Sequence, residues 1–315
     1  MSTENSSLPR IEIGCYRLHF QPASAIPEGR YTGSAWRGIF GHALRRLACT
    51  MRDVSCPECM LYHTCVYSYL FETPPPPGAA KMRKYVAAPH PFVLAPGETP
   101  RGNDYVLGLS LFGRANRMLA YVVRAFQQAA RRGMWPLEKP FELTDVEQET
   151  EAGAGEWTSI LDGEGRLTPL APKLPACPPP PSRVRVVMLT PLRLRIQEAY
   201  VRADQFRFVH LFSNLLRRFS LLTYFHCDEP FETDFAALIR QAEGVPLARA
   251  NLRWHDLTRY SSRQKERLQI GGLLGVFELD AAALGSLWPY LWLGQFTHAG
   301  KGATMGLGRY VVLPV

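Results

Sequence analysis

The chain has 315 residues, 46% of them hydrophobic and 20% charged, with 36 Lys and Arg against 28 Asp and Glu for a net charge of +8. That composition excludes a disordered tail, a collagen-like repeat and a small disulfide scaffold, and leaves enough apolar matter for one large or two ordinary cores. The most apolar stretch, Ala281 to Phe296, is broken by Gly285, Ser286, Pro289 and Gly294, and residues 1–10 lack an apolar signal core, so a cytoplasmic protein is expected.

In chain order, Ile11 to Phe20 alternates as a strand. Trp36, Ile39, Phe40, Ala43, Leu44 and Leu47 recur at helical spacing, which predicts an amphipathic helix over Ser34 to Thr50. Strands follow at Val86 to Leu94 and Tyr105 to Phe112, a helix at Ala115 to Arg132 and a strand at Phe141 to Gln148, giving βαββαβ. Residues 151–182 are rich in glycine and proline, including Pro178 to Pro181, and read as a linker because consecutive prolines supply no backbone donors. The second half repeats the order: a strand-like Arg183 to Ile196, a helix at Phe206 to Tyr224, and strands at Asn251 to Tyr260 and Arg267 to Leu279. A helix at Ala281 to Leu293, interrupted by Pro289, and a closing strand at Tyr310 to Leu313 complete it. The expectation is an α+β protein of tandem ferredoxin-like domains, 1–150 and 183–315, with a cysteine-rich insertion at 49–84 and a glycine-rich loop at 298–309.

Three groups of residues carry chemistry. His42 lies on the polar side of the first predicted helix, three and four residues before Arg45 and Arg46. Two neighbouring cations disfavour a protonated imidazole, which suits a general base; the alternative is an ordinary solvated helix face. In the glycine-rich loop, Gly300 and Gly302 permit close backbone approach while His298, Lys301 and Arg309 supply donors for phosphate oxygens. The P-loop spacing is absent, and the glycines precede a strand and not a helix. Third, Cys49, Cys56, Cys59 and Cys65 form a C-x6-C-x2-C-x5-C pattern. In a reducing compartment such thiols suit a structural zinc, with an iron–sulfur cluster or unligated cysteines as alternatives.

Three strings taken together resemble the CRISPR precursor-RNA processing endoribonucleases of the RAMP superfamily, the Cas6 family. They are Arg37-Gly38-Ile39-Phe40-Gly41-His42-Ala43-Leu44-Arg45, Arg259-Tyr260-Ser261-Ser262-Arg263-Gln264, and His298-Ala299-Gly300-Lys301 followed by Gly306-Leu307-Gly308-Arg309-Tyr310. The resemblance implies RNA binding between or across two ferredoxin-like domains and metal-independent cleavage of CRISPR repeat RNA to crRNA. The ends are a 5′-hydroxyl and a 2′,3′-cyclic phosphate, and other effector subunits are possible partners. It also implies His42 as base, with His298 as a rival, and Tyr31 as a second catalytic group. No lysine follows His42 on its helix, so Arg45 or Arg46 must supply the positive charge. Arg37, Arg259, Arg263, Lys265, Arg267, His298, Gly300, Lys301, Gly302 and Arg309 are the expected RNA contacts. Arg193, Arg195, Arg217 and Arg218 are further candidates for phosphate. The competing readings are a RAMP subunit that holds RNA without cutting it, and a zinc-stabilised adaptor.

Overall fold

The computed structural model describes residues 8–22, 31–81, 88–98, 105–133, 140–261 and 266–315. The first half is built from β1 (Ile13–Pro22), α1 (Gly33–Ala48), β2 (Phe92–Glu98), β3 (Tyr105–Phe112), α2 (Leu119–Ala130), β4 (Phe141–Glu149) and a short β5 (Trp157–Ser159). The second contains β6 (Arg183–Leu192), β7 (Arg195–Ile196), β8 (Ala199–Tyr200), α3 (Phe208–His226), α4 (Phe235–Glu243), β9 (Arg249–Ser261), β10 (Glu266–Asp280), α5 (Ala281–Leu284), α6 (Trp288–Thr297) and β11 (Tyr310–Pro314). The sheets run β2-β3-β1-β4-β5 and β11-β6-β10-β9, and every pairing is antiparallel. Apart from β5, both halves share one order: the fourth strand, the first, the third and the second. The chain is therefore a tandem of ferredoxin-like domains.

Each helix forms because its apolar residues line one side. On α1, Trp36, Phe40, Ala43 and Leu44 are fully buried against the first sheet and α2, with Phe40 stacked on Phe126 at 4.5 Å. No side chain caps the start of α1, and Arg45 and Arg46 in its last turn complement the helix dipole. Two departures from the sequence expectation have simple causes. Pro289 does not interrupt a helix but starts α6, where its missing N–H costs nothing. Helix α4, unforeseen in the polar stretch before β9, is capped by Asp234, whose carboxylate accepts from the Ala237 N–H at 2.9 Å.

The two halves share apolar surface. Tyr16, Leu18 and Phe20 of β1 face the first domain's own core, whereas Ile11, Ile13, Val93 and Phe112 join the core built around α3 and α6. The first sheet is thus buried on both faces at this end, and each of these side chains contributes about 1.5–3 kcal/mol by leaving water. This packing brings the start of α1 to the glycine-rich loop.

The register between β10 and β6 shifts between Leu273 and Gly275. At Gly275 φ is +127°, and a Cβ there would lie 2.0 Å from the Asn251 carbonyl oxygen. Gly275→Ala is expected to destabilise the protein by about 2 kcal/mol or more, through backbone strain and displacement of β9, measured by urea unfolding.

Candidate functional site

The loop after α6 is held by its own backbone and by the second sheet. Ala299 N–H donates to Gly308 O, Lys301 N–H to Arg193 O and Gly308 N–H to Pro191 O, while a short turn at Ala303–Met305 carries the chain back toward β11. Gly308 has φ +66° and lies where a Cβ would meet the Ala299 carbonyl oxygen at 1.8 Å, so only glycine fits. The loop's tip presses on the first domain. The Met305 carbonyl accepts the Tyr31 hydroxyl at 2.6 Å and lies so close to Gly33 that no side chain fits between them. Arg37 Nε donates to Thr304 Oγ1 at 3.2 Å.

A second set of contacts orients Arg37. Its Nη2 lies 3.2 Å from His90 Nε2, and His90 Nδ1 lies 2.7 Å from Thr73 Oγ1. A guanidinium only donates, so Nε2 accepts and Nδ1–H donates to Thr73. Burial, then the charge of Arg37, pushes His90 down to about 3, which keeps that tautomer neutral. His226 of α3 secures the same segment: Nε2 donates to the Pro89 carbonyl at 2.7 Å, leaving Nδ1 to accept from Tyr69 Oη at 3.2 Å. Burial pushes His226 down to about 4.

His42, Arg45 and Arg46 are exposed on the outer side of α1. His42 has no partner among the described residues. It lies nine residues beyond Gly33, about 13 Å up the helix axis, so Tyr31 and His42 do not meet. Gly38, one turn before His42, faces open space. The Arg45 guanidinium sits 5.8 Å over the Tyr67 ring, and Arg46 is shifted below its usual range by partial burial and by the charge of Arg132. Strand β9, whose far end begins the basic hairpin, approaches α1. The backbone of Arg259 and Arg267 pairs within that hairpin, whereas Arg263 and Lys265 lie outside the described residues.

The His298 side chain lies inside the loop. It is 3% exposed at a positive φ of 56°, its Nδ1 has no partner, and burial followed by the charges of Arg309 and Arg218 holds it well below its ordinary value. Carbonyls of the loop it anchors lie around it, and Ala303 and Leu307 act in the opposite direction. Of the other expected loop contacts, Lys301 is exposed, Gly302 lines a cavity described below, and Gly300 N–H donates to Asn214 Oδ1 at 2.7 Å. The cysteine segment follows α1. The Cys56 thiol is raised by burial and by Glu72, and the neighbouring Cys49 and Cys65 thiols add to this while Arg45 opposes it. No three of Cys49, Cys56, Cys59 and Cys65 bring their sulfur atoms within 4.8 Å of one another. Cys59 follows a tight Cys56–Glu58 turn in extended conformation, and Cys65 opens the next helical segment. Among the described residues, the metal-capable group that does converge is His19, Asp145 and Glu147 on the first sheet. There His19 Nε2 and Glu147 Oε2 form a buried pair at 2.8 Å, and Asp145 accepts from the Val146 N–H and the Ser159 hydroxyl. His90, Thr73, Thr304 and His226 were not singled out from sequence, because their roles arise from contacts across the chain.

Residues 186–310 match the family model of CRISPR-associated endoribonuclease Cas6, and residues 10–172 match AF_1859_N, an N-terminal domain. A solved Cas6 product complex is similar in structure, with a TM-score of 0.57 at 20% identity over 96% of this chain and 99% of that one. The Thermus thermophilus Cas6 gives 0.54 at 18% identity over the same shares. A partial Cas6-RT-Cas1–Cas2 complex gives 0.52 at 14% over 96% of this chain and 46% of that one. No curated protein matches the sequence. Among the described residues, no helix is long and apolar enough to cross a membrane.

The buried His226 makes stability depend on pH. Its folded value near 4 lies below the ordinary 6.5, so the unfolded chain binds more protons between these values. The contribution is complete above about pH 6.5 and is lost as pH falls toward 4. Urea unfolding from pH 7.5 to 4.5 is expected to show this decline, and His226→Gln, which retains a donor for Pro89, is expected to flatten it.

Proposed function

We propose that the chain, whose residues 186–310 match the Cas6 family model, is a Cas6-family RAMP protein and that it cuts CRISPR repeat RNA, without a catalytic metal, to give mature crRNA. The observation that carries this reading is the exposed, unpartnered His42 on the outer side of α1. It stands beside Arg46 and an open Gly38, on a helix whose first turn is docked against the glycine-rich loop.

The chemistry follows from RNA itself. His42 accepts the proton of the 2′-hydroxyl at the cut site, and the freed oxygen attacks the adjacent phosphorus. A bond forms between phosphorus and the 2′ oxygen, the bond to the 5′ oxygen breaks, and the departing oxygen takes a proton from solvent. The products are a 2′,3′-cyclic phosphate and a 5′-hydroxyl. Arg46, and Arg45 when its guanidinium leaves Tyr67, stabilise the charge on the phosphorane. Tyr31 is a positioning residue: its hydroxyl is committed to the Met305 carbonyl, and it sets the loop against α1. The expected ligands are repeat RNA and crRNA, gripped also by Arg37 and by the hairpin residues Arg259, Arg263, Lys265 and Arg267. CRISPR proteins in the cytoplasm are the expected protein partners. The domain limits 1–150 and 183–315, with a linker between, belong to the same reading.

His42→Ala is expected to lower single-turnover cleavage of repeat RNA by about 10²–10⁴-fold while RNA affinity is retained. Cleavage by the unaltered protein is expected to survive EDTA and to vanish when the nucleotide at the cut carries a 2′-deoxy sugar. Tight binding with no cut in any of these would leave a subunit that only holds RNA. Cleavage that persists unchanged in His42→Ala would move the base elsewhere.

A structural zinc on Cys49, Cys56, Cys59 and Cys65 is a separate part of the proposal, supported by their spacing and by the proximity of Cys49 and Cys65 to Cys56. Sulfur–zinc distances of about 2.3 Å require the four thiols to draw closer together. Elemental analysis of the purified protein is expected to find one zinc per chain, lost in Cys56→Ser.

A further inference from the structure

Behind the seam lies a cavity of about 370 Å³, bounded by the glycine-rich loop, α3 and the segment around His90. Arg217, Arg218, Asn214 and Thr304 line it, and among the described residues no acidic one does. The Arg218 guanidinium is held by one bond, Nε to the Thr297 carbonyl at 2.8 Å. Its Nη2 is buried with no partner. Burial pushes Arg218 down to about 10, yet it stays charged at neutral pH with no carboxylate against it. Arg217, its exposed neighbour, likewise makes no ion pair among the described residues. Asn214 uses Oδ1 to accept from Gly300 N–H, which fixes the amide's orientation and leaves its NH2 as a free donor. Thr304 Oγ1 accepts from Arg37, so its own proton is free to donate.

Arg218 is half-buried, and its Nη2, buried without a partner, is a costly donor to leave unpaired. Two arginines, an amide and a hydroxyl converging on one cavity without a carboxylate match the oxygen surface of a phosphate. Histidine adds no competing charge, since His90 is neutral and already bonded to Arg37 and Thr73. We infer that this cavity binds a phosphate group, supplied by a phosphodiester of the RNA strand beyond the cut. It is distinct from the His42 side of α1 and joined to it through Arg37 and Thr304. The source rests on the proposed function; the phosphate chemistry does not.

The test uses the full chain and repeat RNA made uncleavable by a 2′-deoxy sugar at the cut, with affinity measured over a salt series. Arg217→Ala and Arg218→Gln are each expected to weaken binding about 3–10-fold and to reduce the salt slope by about 0.7, the loss of one single-strand phosphate contact. Arg217 is exposed, so its variant is informative even if Arg218→Gln folds poorly. In a second arm, inorganic phosphate is compared with chloride at equal ionic strength. Phosphate is expected to raise the melting temperature of the unaltered protein more than that of either variant. Unchanged affinity and slope together with a lost phosphate response would show that the cavity takes free phosphate and would overturn the RNA source. Unchanged behaviour in both arms would overturn the site. If the unaltered protein fails to bind repeat RNA at all, the proposed function falls, and the phosphate arm still decides whether the cavity binds phosphate.

Discussion

Everything that can act on a substrate here hangs on the close contact between the Met305 carbonyl and the first turn of α1. A backbone oxygen meets Gly33 where any side chain would collide, and the Tyr31 hydroxyl closes on the same oxygen. One carbonyl thereby sets how far the second domain slides along the first. The consequences run outward: Arg37 reaches Thr304, His90 is caught between Arg37 and Thr73, and the outer side of α1 takes its orientation toward β9. The apolar sharing between the sheets supplies most of the adhesion, because Ile11, Ile13, Val93 and Phe112 lie in the partner core. Adhesion of that kind is non-directional and tolerates a sliding error. The polar contacts at the loop remove that freedom.

Histidine serves two opposite purposes in this molecule. His226 and His298 are buried and His90 is half-buried; all three are held neutral, and His90 and His226 act as fixed bridges with one defined donor and one defined acceptor. His42 is exposed on the basic side of α1, with no partner among the described residues. Burial, more than the identity of neighbouring residues, separates the two uses. The molecule's positive charge shows the same division: Arg37 is tied into the seam, whereas Arg46 and Arg217 face outward.

Much of the architecture was legible because the periodicities were strong. Tyr105–Phe112 has the limits its alternation implies, and α1 differs from the Ser34 to Thr50 expectation by a residue or two at each end. The repeated βαββαβ order followed from these elements. Helix α4 was not legible, since only Leu238 and Ala242 of its nine residues are buried and its start depends on an Asp234 cap set in polar sequence. The site was legible only where residues cluster along the chain. His42 with Arg45 and Arg46, and the glycines of the loop, could be read directly. The burial of His298 was not legible, because burial is a property of the fold and its neighbours Gly300 and Lys301 gave no sign of it. Arg218 and His90 acquire their roles from partners 79 and 53 residues away and Thr73 from His90, 17 residues on, and no spacing rule reports such partners.

The bond from Tyr31 to Met305 joins residues 274 positions apart. Contacts of such long separation form late, because the entropy of closing the intervening chain is lost before they give anything back. During synthesis the first domain emerges and folds while the loop that completes the seam is still unmade. A nascent chain therefore carries α1 as a formed helix before the Met305 carbonyl closes on its first turn. The seam is completed only when the segment around Met305 has docked, so two segments far apart along the chain act as an assembly checkpoint for the molecule.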